Sequence, residues 1–427
     1  MQEDFLHYIW KFKKFDFGNS TTVDGAPLVI SNTGVHNTNS GPDFFNARLK
    51  IGEQSWAGNV EIHIRSSDWY AHRHEEDPAY DNVILHVVWE DDIEIFRKDN
   101  STIPTLELKD LVGDDILQKY RNLLTAPNPK WINCENEFPG FEDFELHNWL
   151  ERLYLEKLQI KSQSIKALHK ATGNNWEAVL FRLLARSFGS KVNAGAFLSL
   201  AQSLDFKIIQ KCRDSQIRLE ALFLGQSGLL DKKAEDGYYF QLQDEYTYLK
   251  RKFNLDNYVV ERPKYFRLRP DNFPTIRLSQ LANLYFNQTH LFSSITNTYK
   301  RKDLMKIFQT ETSLFWKTHY NFGKPHPLRN KALSEDFVDL IIINTVVPIK
   351  FSWMEMTGIG DSAVLINLLN EVRAEKNSIV NKFNILRPGT SLTALQSQAL
   401  LHLKSEYCDK NFCMKCQLGA GLLKSKG

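Results

Sequence analysis

At 427 residues the chain is longer than one hydrophobic core usually serves, so two or more domains are expected. Apolar residues at 42% and charged residues at 24% are ordinary globular usage, and 28 Phe, 15 Tyr and 9 Trp exclude a disordered chain. A net charge of +2 selects no partner by itself, and five cysteines in this length exclude a disulfide framework.

The first residues, MQEDFLHYIWKFKKF, carry acids at the front and no apolar run before a small-residue cleavage site, which does not fit a signal peptide. Phe5, Leu6, Ile9, Trp10 and Phe12 recur at helical spacing and predict a first helix. An Asp24-Gly25 turn and the run Pro27 to Ile30 predict a strand. From Phe44 to Ile51 the pattern alternates, with Phe45, Ala47, Leu49 and Ile51 on one face. After a turn at Gly52, residues 55–64 form the hairpin partner, with Val60, Ile62 and Ile64 on one face and Asn59, Glu61, His63 and Arg65 on the other. A polar segment, 66–81, predicts a short helix or ordered loop, and residues 82–89 a buried strand. A second hairpin is expected over 92–108, turning at Asp99-Asn100. This order predicts an α/β domain over residues 1–110.

Residues 111–140, with Pro127, Pro129, Pro139 and Gly140, read as a connector. From 141 to 427 the periodicity is mainly helical, with no repeat of constant period. The most apolar stretch, Phe337 to Phe351, is broken by Asp339, Asn344 and Pro348. It reads as a buried core segment, too short and too polar to span a bilayer. The expectation is a cytoplasmic protein without membrane contact.

The sharpest local feature is Gly41-Pro42-Asp43 followed, eighteen residues after the aspartate, by Glu61-Ile62-His63 on the other strand of the hairpin. A Mg²⁺ or Mn²⁺ ion takes hard oxygen ligands, and adjacent strands lie about 4.8 Å apart, so Asp43 and Glu61 are expected to share one. This arrangement resembles the PD-(D/E)xK nuclease superfamily over roughly residues 2–90. The resemblance implies a restriction-endonuclease-like αβββαβ core with a mixed sheet, and metal-dependent cleavage of DNA. It makes Asp43 and Glu61 metal ligands and Glu3 an auxiliary acid. His63 stands where the superfamily has lysine. An imidazole with an ordinary pKa near 6.5 is mostly neutral at pH 7, so His63 is expected to act as base or ligand, with Lys50 or Arg65 supplying the charge. The substitution equally fits a domain that has lost cleavage. Over the longer strings GPDFFNARL, GNVEIHIRSSDWYAHRH, DPAYDNVILHVVWEDD and RPDNFPTIRLSQLA, the chain resembles a bacterial family of unassigned function, best represented in Bacteroidetes.

Two further constellations carry chemistry. His63, Asp68, His72, His74 and Asp77 fall within fifteen residues and offer donors for a zinc hydrolase site, although no Glu stands at metalloprotease spacing. His86 is expected to be a core histidine bonded to a backbone carbonyl. Cys408, Cys413 and Cys416 lie close together near the C-terminus, with Cys134 as a fourth thiolate for zinc or an iron–sulfur cluster; the alternative is a set of reduced buried thiols. Between Lys250 and Arg277, eight basic residues stand against three acidic ones, interleaved with aromatics. Arg262, Lys264, Arg267 and Arg269 are therefore expected to meet nucleic acid, the alternative being a solvated linker. The reading is a metal-dependent nuclease or a nucleic-acid-binding protein derived from one. Its competitor is a non-catalytic interaction protein.

Overall fold

The computed structural model describes residues 1–37, 40–124, 130–231 and 236–423. The chain falls into two units, one of residues 1–149 with 402–427 and one of residues 150–401. Linear order places the cysteine-rich tail with the helices. It returns instead to the first unit.

The first unit is built on a mixed sheet. Helix α1 (Glu3–Lys11) buries Phe5, Leu6, Tyr8, Ile9 and Trp10, each contributing about 1.5–3 kcal/mol by leaving water. Strands β1 (Leu28–Asn32), β2 (Val35–His36), β3 (Phe44–Ile51), β4 (Gln54–Arg65), β5 (Val83–Glu90) and β6 (Thr105–Glu107) pair in the order β1-β3-β4-β5-β6, with β2 also on β3. The β1–β3 and β3–β4 pairs are antiparallel, and β4–β5 and β5–β6 are parallel. The parallel β4–β5 step is reached through helix α2 (Asp68–Ala71) and a short 3₁₀ turn. Strand β4 runs close beside β5 at Gly58, where a Cβ would lie 2.4 Å from Ile84 Cγ2.

Two expectations are corrected here. The hairpin over 92–108 reduces to a single bridge, Phe96 to Thr102, around Asn100 at φ +62°, and the chain continues into β6 parallel to β5. The parallel course lets Leu106 and Leu108 join the main core, while Ile95 and Ile103 fill a separate cluster around Trp69. Part of the connector is a helix, α3 (Asp114–Leu124), because Leu117, Tyr120 and Leu123 recur on one face and bury there. Pro127 and Pro129 lie outside the described residues. From the tail, Met414 and Leu423 enter the same core, and the Tyr8 hydroxyl donates to the Ala420 carbonyl at 3.3 Å.

The second unit is helical. Its helix Gly237–Phe253 was not legible in the sequence and holds Lys250, Arg251 and Lys252 in its last turn, so the basic stretch begins on a helix. The apolar run expected as a core segment belongs to a longer helix, Glu335–Thr357. A π turn at Ile342–Val346 interrupts that helix just before Pro348, which then falls in the first turn of the α segment Val347–Thr357, where its missing N–H costs little. Contrary to the sequence expectation, its length and apolarity would suffice to cross a bilayer, but 83% of its most apolar window is buried inside the protein.

Candidate metal centre

Asp43 immediately precedes β3, and its Oδ2 accepts the Ile62 N–H at 3.0 Å. Its own N–H donates to Glu61 Oε2 at 3.1 Å, so each carboxylate is latched to the other's strand. Both strands are irregular here. The β3–β4 register slips between Phe44 and Ala47, with Asn46 at φ +59°, and β4 slips against β5 between Asn59 and Val60. Such bulges bend a strand and re-aim its side chains. From α1, His7 reaches Asp43 Oδ2 at 3.2 Å, and Glu3 lies one turn earlier on the same helix.

His63 is fully buried two residues along β4. Its Nδ1 lies 2.8 Å from His86 Nε2 on β5, and its Nε2 lies 3.1 Å from His72 Nδ1 and 3.5 Å from Glu61 Oε1. His74 Nε2 comes within 3.3 Å of the same Glu61 oxygen. The end of α2 explains how His72 and His74 are aimed. Arg73 takes a left-handed φ of +60°, its N–H bonds the Tyr70 carbonyl, and the His74 N–H reaches back to the Trp69 carbonyl at 3.0 Å. That is a Schellman end. The segment is fastened by Asp92, which accepts from the Ser66 hydroxyl and from both the N–H and hydroxyl of Ser67. It is fastened also by Trp69 and by Tyr80, on which the His74 ring stacks at 3.8 Å.

The electrostatics follow from burial. Desolvation, then the nearby Asp43, pushes the Glu61 carboxyl up to about 9, and the same two causes raise Glu3. Desolvation, then the neighbouring His74 and His72, pushes His63 down to about 3, and His86 is driven well below its usual range. The Glu61 contact with His63 is therefore a contact with a neutral ring, not an ion pair, and burial lowers His74 as well. Burial pulls His7 down, but the hydrogen bond and charge of Asp43 outweigh it and the net shift is upward.

Among the residues expected from sequence, Asp43, Glu61 and His63 meet directly, and Glu3 lies close enough for its charge to couple to Asp43, His7 and His72. Lys50 does not join them. It pairs with Ser55 at the far end of the hairpin and its Nζ contacts Glu53, because six residues of extended strand carry it away from Asp43. Arg65 is exposed beyond His63, opposite Glu90. Asp68 and Asp77 hold backbone N–H groups, of Arg65 and Ala79, and so serve the loop. The partner of His86 is His63, where a carbonyl was expected. Sequence reasoning missed His7, which carried no motif, and Lys415 and Lys11, whose charges reach His36; Lys415 also reaches His7.

Cys134, Cys408, Cys413 and Cys416 gather in the first unit. Asn133 Nδ2 donates to Cys413 Sγ at 3.2 Å, and burial, then the other cysteines, raises the thiols of Cys134 and Cys408. Among the described residues, however, only His63, His72 and His74 bring three donors within 4.8 Å of one another. In the second unit Arg262 is held by Asp231 and the Gly228 carbonyl, and Lys264 lies near Glu261. Arg267, beside the Phe266 ring, and Arg269 are exposed.

A family described as "Protein of unknown function (DUF2851)" matches residues 3–378. The chain belongs to this family. Its match takes in every residue of the histidine–carboxylate cluster and stops before the tail that carries Cys408, Cys413, Lys415 and Cys416. No curated protein and no solved structure matches the chain significantly.

Proposed function

We propose that this chain hydrolyses phosphodiester bonds of nucleic acid with a Mg²⁺ or Mn²⁺ ion held by Asp43 and Glu61, in the manner of the PD-(D/E)xK nucleases. One observation carries the reading. Glu3, Asp43 and Glu61 gather in a largely buried place, and among the described residues none of them is ion-paired with Lys or Arg. Three carboxylates packed together with no lysine or arginine paired to them, and with His7 alone shifted toward its charged form, are short of positive charge, and a divalent cation supplies it. The sense of the strands supports the same reading: an antiparallel β1-β3-β4 meander, a helical crossover, then β5 parallel to β4, with α1 against the sheet.

Within this proposal Asp43 and Glu61 bind the ion, and Glu3 and His7 fix Asp43 from α1. His63, kept neutral, orients its neighbours and does not replace the lysine's charge; Lys415 and Lys11 are nearer to that task than Lys50 or Arg65. The bound ion would lower the pKa of a coordinated water and neutralise charge developing on the phosphate. Arg267 and Arg269 would meet backbone phosphates from the second unit. We also propose that the four cysteines take a zinc ion or an iron–sulfur cluster with a structural role.

The test is calorimetry with Mg²⁺ and Mn²⁺, together with cleavage of labelled single- and double-stranded DNA and RNA. Asp43→Asn and Glu61→Gln keep the hydrogen-bond acceptors and should lower cleavage at least about a hundredfold. Absence of both divalent binding and cleavage on every substrate would leave a non-catalytic interaction domain.

A further inference from the structure

We propose that His63, His72 and His74, with Glu61 Oε1 as fourth donor, form a tetrahedral site for a transition-metal ion of the zinc class. The site lies directly beside the oxygen site of Asp43 and shares Glu61 with it. The shared carboxylate rests on the function proposed above; the three-nitrogen site does not.

The distances carry the argument. A tetrahedron with metal–ligand bonds of about 2.1 Å has edges of about 3.4 Å. The contacts between these donors are 3.1 Å for His63 Nε2 to His72 Nδ1, 3.5 Å for His63 Nε2 to Glu61 Oε1, and 3.3 Å for His74 Nε2 to Glu61 Oε1. One nitrogen from each of the three rings lies within 4.8 Å of the other two. The candidate donors thus come from two residues of β4 and two of the α2 end. The three rings already converge, and Glu61 Oε1 lies at tetrahedral spacing from two of them, His63 and His74.

Hydrogen bonds tie His63 to His86 and to His72, but none accounts for the position of His74. His74 Nε2 is buried and makes no hydrogen bond, despite its approach to Glu61. A ring nitrogen in that position forgoes roughly 1–3 kcal/mol unless something else takes it. The ring of His63 is also poised for ligation. If its Nδ1 carries the proton and donates to His86 Nε2 at 2.8 Å, its Nε2 lone pair is left facing His72, His74 and Glu61. His86 then plays the part of the outer hydrogen-bond partner that fixes the tautomer of a metal-bound histidine. His72 is exposed and gives an ion its way in. Imidazole nitrogens favour zinc, nickel, copper and cobalt over magnesium or calcium, so the two adjacent sites would differ in the ions they select.

The experiment uses the full chain, stripped with a chelator and titrated with Co²⁺ under reducing conditions. Expected is one equivalent of cobalt with the intense visible bands of tetrahedral coordination, lost on adding zinc. Any cobalt at the cysteines is recognised separately by its sulfur-to-metal charge-transfer absorption. His72→Ala removes an exposed ring with little risk to folding and should weaken the tetrahedral cobalt at least about tenfold, and His74→Ala likewise. His86→Ala should weaken it less. Cobalt that shows only the faint octahedral spectrum, or an unchanged affinity in His72→Ala and His74→Ala, would overturn the proposal. Tetrahedral cobalt without cleavage under any ion sinks the phosphodiesterase reading alone. Mg²⁺-dependent cleavage with no tetrahedral cobalt sinks the histidine site alone.

Discussion

Lys350 shows what burial does to a single charge in the helical unit. It is fully buried and donates to the Ile295 and Thr298 carbonyls, the former at 3.1 Å, with its ammonium 3.7 Å from the Tyr299 ring centroid. No carboxylate is among the causes of its shift. Desolvation pushes its pKa down to about 8. A lysine titrating lower in the fold than in the unfolded chain, where about 10.4 is usual, leaves the unfolded state holding more protons between those values. Stability contributed at this position should therefore rise as pH climbs from about 8 to about 10.4, with the full penalty present below 8. The two carbonyls and the ring offset part of that penalty, so about 3 kcal/mol is its upper bound. Lys350→Met should flatten the difference; equal slopes of stability against pH for variant and parent would refute the assignment. At the same scale, the meeting of Asp43 with Glu61 was legible because neighbouring strands of a hairpin lie about 4.8 Å apart, which brings the entry of one beside the exit of the other. The approach of His7 was not, since helical spacing says which face of α1 is apolar and nothing about what its polar face will meet.

At the scale of elements, the end of α2 and the tail are the two pieces whose role depends on detailed geometry. A His-x-His string in a polar loop has no preferred direction. The left-handed Arg73 between the rings, and the Asp92 clamp below, give it one. The tail is comparable. Cys408 closes a π turn, Cys416 precedes the helix Gln417–Leu422, and a Cβ on Gly419 would come 2.4 Å from the Cys413 carbonyl oxygen, so only glycine permits that approach. If these thiols hold an ion, protein purified without oxygen should contain zinc or iron beyond the amount bound by the histidines. Cys413→Ser should release it and lower the melting temperature by several degrees. A parent protein whose metal content and melting temperature are the same as those of Cys413→Ser would show that the cysteines are reduced, metal-free thiols.

At the scale of the molecule, the first unit is completed by chain that is distant in sequence. Met414 and Leu423 belong to its core, and Asn133 bonds Asn411 at 3.0 Å. A chain cut after residue 401 should therefore lose stability in the α/β unit. The loss is about 1.5–3 kcal/mol for each large apolar side chain removed, and the helical unit should be little affected. Hydrogen exchange resolved by peptide would show it: protection of β3, β4 and β5 should fall in the truncated chain. Unchanged protection there would mean the tail is an appendage. The sequence by itself determined the αβββ order, the hairpin that carries Asp43 and Glu61, and the mainly helical character of the chain beyond residue 140. Those features arise from periodicity, and periodicity is set by bonds and sterics within a few residues. Only the tertiary structure decided that β6 runs parallel to β5, that the tail rejoins the first unit, that His7 meets Asp43, and that His72 and His74 close on His63 and Glu61. Such meetings depend on which buried faces pack together, a free-energy balance summed over the whole core that no local pattern contains.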